Sequence, residues 1–175
     1  MILSVHAIFG AAVASLVPNH PVIGFGLGFV SHFVLDAIPH RDYELISVDC
    51  DYTGKAKPID LIMNKFKLIR DVLLASFDAL VGLCLAFLFF FDQVHPWLFL
   101  AGALGALLPD GIVFLYLLLQ HKSLNYFFNF HCHFDSDFNK RLKQKIGQVT
   151  GVIFQFITVS ILIVLVFGLK AFLVE

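Results

Sequence analysis

Five apolar stretches, about 2–17, 21–38, 71–91, 96–119 and 148–174, carry at most two charged residues each and approach the roughly 20 residues a helix needs to cross a bilayer. In lipid a spanning segment must satisfy its own backbone polar groups, so stretches of this length fold as helices. The expected fold class is therefore all-α: a polytopic integral membrane protein, one membrane domain over 1–175, with about five transmembrane helices. Composition closes the soluble alternative. Charged residues make up 14% of the chain, where a soluble domain carries about a quarter, and 21 residues are Phe. A net charge of -1 supplies no basic field for phosphate backbones, so nucleic acid is not expected as a partner. The three cysteines (Cys50, Cys84 and Cys132) have no paired spacing and imply no disulfide framework. The opening MILSVHAIFG lacks a basic n-region, so the first stretch reads as a retained helix.

Turns and charge then arrange the stretches. Pro18-Asn19-His20-Pro21 and Asp92-Gln93-Val94-His95-Pro96 are short connections that make antiparallel pairs of the first and second and of the third and fourth stretches. Two longer polar segments remain, about 39–70 and 120–147, and they hold every Lys and Arg except Lys170. By the positive-inside rule both segments are cytoplasmic, the N-terminus is inside and the C-terminus outside, as in a cytoplasmic (inner) membrane. Trp97 fits an outer interfacial anchor. Within 120–147, Phe127, Phe130, Phe134 and Phe138 recur at helical spacing among His131, His133, Asp135 and Asp137, which predicts an interfacial amphipathic helix.

Small residues four apart let helices approach closely in lipid, and here such stripes run into ionisable groups. They read Gly24-Gly28-His32-Asp36, His6-Gly10-Ala14, Asp71-Ala75-Asp78-Gly82 and Gly102-Ala106-Asp110. A spacing of four keeps residues on one face, so the packing face is also the polar face. Polar groups on such a face can serve only as interhelical hydrogen bonds. Several ionisable groups at membrane depth, at a few kcal/mol each, point instead to function. Counting 1.5 Å per residue from the two turns places His6, His32, Asp78 and Asp110 at similar depth, roughly 19–24 Å from the outer surface.

Imidazoles and carboxylates in a half-buried cluster are the ligand set of zinc or a similar divalent metal, whose charge also offsets the burial of aspartates. His32 and Asp36 can chelate from one helix face. Pro39 ends that helix, so His40 begins the loop beside the cluster. His131/Asp135 and His133/Asp137 repeat the spacing, which makes His131 and His133 further candidate ligands.

The motifs His6-Ala-Ile-Phe-Gly10, Ser31-His32-Phe-Val-Leu-Asp36-Ala-Ile-Pro39-His40 and Leu108-Pro109-Asp110 resemble the family of membrane-bound metal-dependent hydrolases that includes the LexA-regulated inner-membrane proteins. The His-x-x-x-Asp followed by Pro and His is also similar to the helical zinc phospholipase C and single-strand nuclease fold. The resemblance covers about half the chain, and here the Leu-Pro-Asp turn follows the Ser-His helix. It implies metal ligation by His6, His32, Asp36 and Asp110, and phosphoester hydrolysis as the reaction class. A membrane phospholipid would be one such substrate. On this reading Asp78 or His40 acts as general base, and Arg41 or Arg70 holds the phosphate. Two rivals stand beside it. A cation or proton transporter needs a route to the outer surface, and a non-catalytic scaffold binds no metal.

Overall fold

The computed structural model describes residues 2–38, 40, 45–47, 65–134 and 148–174. Among them every regular element is an α-helix: α1 (Leu3–Ala14), α2 (Pro21–Ala37), α3 (Lys65–Phe90), α4 (Leu98–Leu119), α5 (Lys122–Phe134) and α6 (Gln148–Val174). Three of these, α3, α4 and α6, are long and apolar enough to cross a membrane, whereas α1 and α2 are shorter apolar helices of 12 and 17 residues. Large apolar side chains such as Phe66, Phe77, Leu88, Leu165 and Phe172 face outwards along α3 and α6, as the surface of a membrane protein requires.

Local signals explain most helix ends. Pro21 occupies the first position of α2, where its missing N–H costs nothing. Ile38, placed before Pro39, leaves the helical region, and α2 stops there. Gln120 takes a left-handed conformation (φ 50°), and its N–H closes onto the Tyr116 carbonyl, turning the chain from α4 into α5. One boundary differs from the expected one. α3 begins at Lys65, six residues before the predicted span, so Lys65, Lys67 and Arg70 are helical rather than part of the polar segment. Lys, Arg and Leu-rich sequence continues a helix readily, so its polar start carries no stop signal.

The shortest helix among the described residues, α1, lies at the centre. α1 packs against α2, α3, α4 and α6, and Ala7, Ala11, Ala12 and Ala14 are all fully buried. Small side chains permit this enclosure, because in lipid helices associate through close packing rather than through the hydrophobic effect. Gly102 of α4 lies between α1 and α2. A Cβ there would run into the Gly10 carbonyl and stand 2.5 Å from Ala14 Cβ. A Cβ on Gly28 would strike the Gly102 carbonyl oxygen and lie 2.9 Å from its carbon. Val5, Phe9, Leu35, Ala86, Phe90, Val159 and Val166 complete the core around α1.

A second cluster docks α5 on α4. Tyr116 stacks on Phe128 with ring centroids 4.7 Å apart, and its hydroxyl donates to Asn125 Oδ1 at 3.0 Å. Leu117, Leu124 and Leu68 of α3 close around them. This anchoring sets the rotation of α5, and through it which of its histidines faces the bundle.

Candidate metal centre

Five side chains from four helices converge one to two turns from the Gly10–Gly102–Gly28 contact: His6 from α1, His32 and Asp36 from α2, Asp110 from α4 and His131 from α5. His32 is fixed first. Its Nδ1 stands 2.9 Å from the Ala106 carbonyl, which can only accept, so Nδ1 carries a hydrogen and Nε2 is the nitrogen turned to the cluster, the one that would serve as a ligand in the neutral ring. Ala106 lies in the turn before the buried Pro109, which lacks the N–H that would bond the Gly105 carbonyl and so loosens α4 there.

The other donors gather around His32 Nε2. It lies 3.0 Å from Asp36 Oδ2, 2.9 Å from His131 Nε2 and 3.8 Å from Asp110 Oδ1. His131 Nε2 is 3.3 Å from Asp110 Oδ1 and 3.5 Å from Asp36 Oδ2. The second oxygen of Asp36 turns to His6, with Nε2 3.3 Å away, and the His6 ring stacks on His32 with centroids 4.1 Å apart.

These separations can be compared with what a metal demands. Four donors at about 2.0–2.2 Å from a tetrahedral divalent ion stand about 3.3–3.6 Å from one another. The spacings run from 2.9 to 3.8 Å around that range, and two overlapping triads, His6/His32/Asp110 and His32/Asp36/His131, each keep their donor atoms within 4.8 Å. Charge agrees with distance. With all three imidazoles deprotonated, as ligands must be, the set carries two negative charges, which one divalent cation would offset. His6 adds a further sign: it is fully buried, and its Nδ1 makes no hydrogen bond among the described residues. Buried polar nitrogens without partners are uncommon and point to a ligand role.

Electrostatics at the rim is set by α5. Burial works against a charge on His131, but the hydrogen bond to Asp110 and the charge of that carboxylate outweigh it and raise the imidazole pKa to about 9. At neutral pH this nitrogen holds a proton that a metal would displace. Access is one-sided. The His6 and His32 side chains are fully buried and Asp36 is 5% exposed, while His131 is 13% and Asp110 30% exposed. The cluster therefore opens past Asp110 and His131.

The remaining candidates lie elsewhere. His133 is two residues past His131, hence on another face of α5, and is exposed. His40 is buried and closes a local turn, Nδ1 lying 2.8 Å from the Ile38 carbonyl. Asp78 accepts the Ser4 N–H at 3.3 Å, so it caps the start of α1, whose own N-cap residue, Ile2, has no capping side chain. Arg70 pairs with Asp71 at 2.8 Å, and Asp71 also accepts the Ser47 N–H at 2.7 Å. Arg41, Asp135 and Asp137 lie outside the described residues. What sequence reasoning missed is the Ala106 carbonyl, whose role has no side-chain signature beyond Pro109 three residues later. No family model matches the chain, and neither a curated protein nor a solved structure matches it.

Proposed function

We propose that this chain is a membrane-embedded, metal-dependent phosphoester hydrolase, with His6, His32, Asp36, Asp110 and His131 as the metal-holding set. The observation that carries it is the convergence of these five donors from four helices at metal-ligand spacing. A divalent metal, zinc by donor type, would lower the pKa of a bound water and polarise a phosphoryl oxygen. The chain's own residues do the rest. Ala106 holds His32 in the tautomer that leaves Nε2 free to bind. The closely packed α1, α2 and α4 keep water from the buried side. Asp110, the most exposed carboxylate of the set, meets the incoming group and is best placed to take up a proton. The reaction class itself rests on the resemblance of 6–10, 31–40 and 108–110 to membrane-bound metal-dependent hydrolases.

Five spans belong to the same proposal. α1 is short, yet it is enclosed by α2, α3, α4 and α6, which supports its lying in the same layer as the three long apolar helices. Lys and Arg distribution supports a cytoplasmic N-terminus and an outer C-terminus, with α5 lying in the inner interface. A transporter would need a second route to the donors, and the glycine contacts of α1, α2 and α4 occupy the side where it would run.

Elemental analysis of detergent-purified protein tests the proposal, together with hydrolysis of bis(p-nitrophenyl) phosphate before chelation, after it, and after zinc is restored. About one to three equivalents of divalent metal are expected, since ligand sets of this size hold one or a few ions. Turnover should be lost on chelation and recovered with zinc. Protein without metal, whose melting is indifferent to chelator and to zinc, would leave the polar cluster a structural hydrogen-bond network.

A further inference from the structure

Beside the metal-ligand set stands a row of aromatic rings that the chemistry above does not use. Phe33 of α2 sets its edge against His32 (centroids 5.3 Å) and His131 (6.0 Å), so it touches both histidines at the open side. Phe130 of α5 meets Phe33 at 5.2 Å, and Phe127 meets it at 6.3 Å. One turn further along α2, Phe29 continues the row, 5.5 Å from Phe33 and 6.3 Å from Phe127. The row leads outwards. Phe130 is 50% exposed, and Val30 and Val34, on the adjoining stripe of α2, are 58% and 53% exposed. A continuous row of rings therefore runs from the half-exposed Phe130, beside the exposed Val30 and Val34 of α2, to the buried Phe33, which abuts the histidines.

We propose that the substrate of the centre is a membrane lipid phosphoester whose hydrocarbon chain enters sideways from the bilayer between α2 and α5 and lies along Phe29, Phe33, Phe127 and Phe130. The inference rests on the hydrolase reading above and supplies its substrate class. Three observations select a lipid. The donors are closed off on the side of α1, α2 and α4 by backbone contacts at Gly10, Gly28 and Gly102, and their exposed side is at Asp110 and His131, beside α5. The wall it meets there offers rings without hydrogen-bonding groups, which suits a hydrocarbon chain and leaves a sugar or nucleoside unsatisfied. The phosphoester end then reaches Asp110 and His131, the two exposed members of the set. A chain sliding from bilayer to aromatic wall exchanges one apolar surface for another, so its entry requires no passage through water.

The test uses full-length protein in phosphatidylcholine vesicles doped with phosphatidylglycerol bearing a mid-chain diazirine. Photolabel should concentrate on the α2 segment 29–34 and the α5 segment 127–130, in metal-loaded and chelated protein alike. Phe130→Asp, at a half-exposed position, should cut that labelling at least fivefold while the helical circular dichroism stays that of the wild type. It should also lower the ratio of phosphatidylglycerol to bis(p-nitrophenyl) phosphate turnover at least tenfold. Label spread evenly over exposed residues of α3 and α6, such as Leu88 and Leu165, would overturn the lipid path, as would equal loss of both turnovers. Concentrated label with no hydrolysis of either ester would uphold the path and sink the hydrolase reading. Metal-dependent hydrolysis of the soluble ester with diffuse label would do the reverse.

Discussion

Gly28→Ala places one methyl group where α2 and α4 touch, and its consequences can be worked from the contact. The new Cβ would overlap the Gly102 carbonyl oxygen and stand 2.9 Å from its carbon and 3.1 Å from Gly102 Cα. Carbon atoms settle at about 3.5–4.0 Å, so the two helices must part by on the order of 1 Å. Both clashing groups are backbone, which cannot rotate aside, so the cost falls in the overpacking range of about 1–3 kcal/mol. The same parting acts on the candidate metal centre. His32, one turn after Gly28, bonds the Ala106 carbonyl across this gap at 2.9 Å. A shift of about 1 Å stretches that contact to about 3.9 Å, beyond hydrogen-bonding reach, and frees the ring that Ala106 had oriented. Gly26→Ala supplies the control, because nothing lies within 4 Å of a Cβ there and a helical Gly→Ala change gains up to about 1 kcal/mol. Unfolding in mixed micelles titrated with dodecyl sulfate, followed by helical circular dichroism, should show Gly28→Ala less stable than wild type and Gly26→Ala equal or better. Elemental analysis of the same samples should show metal lost only from Gly28→Ala. If the two alanine variants unfold together and hold equal metal, α2 and α4 are not packed through these glycines.

Three further outcomes are expected. Asp36→Asn removes a ligand charge, so metal content and zinc-dependent melting should fall; wild-type metal content and wild-type melting in that variant would refute the centre. Asp78→Ala should cost about 1 kcal/mol through the lost cap on Ser4 and leave metal content unchanged, whereas loss of metal would make Asp78 a ligand after all. In a background with Cys50, Cys84 and Cys132 replaced by Ser, cysteines at His20 and Gln93 should react with an impermeant thiol reagent outside intact cells and one at Lys143 should not; the reverse pattern would invert the orientation.

Several features were legible without coordinates because their causes are local. Apolar length and the lack of charge predict helices, and Pro21 and Pro39 mark where α2 begins and ends. The four-residue period puts His32 and Asp36 on one face whatever they pack against. Depth along an axis can also be counted, which is why Asp78 and Asp110 looked equivalent. The direction in which a side chain points around the axis cannot be counted that way. Gly82 of α3 abuts Ser4, a Cβ there lying 2.5 Å from Ser4 Cα, and this contact turns Asp78 to the end of α1 rather than to the histidines. His131 and His133 share composition and neighbourhood, yet Phe128 stacking on Tyr116 rotates α5 so that His131 meets Asp110 while His133 is left exposed. Arg70 was read as a phosphate holder, and its place beside Asp71 depends on a helix that begins earlier than the hydropathy suggests. Period and length are properties of one segment, so sequence alone determines them. Which rotation each helix adopts is decided by contacts between segments, and those exist only once the bundle has packed.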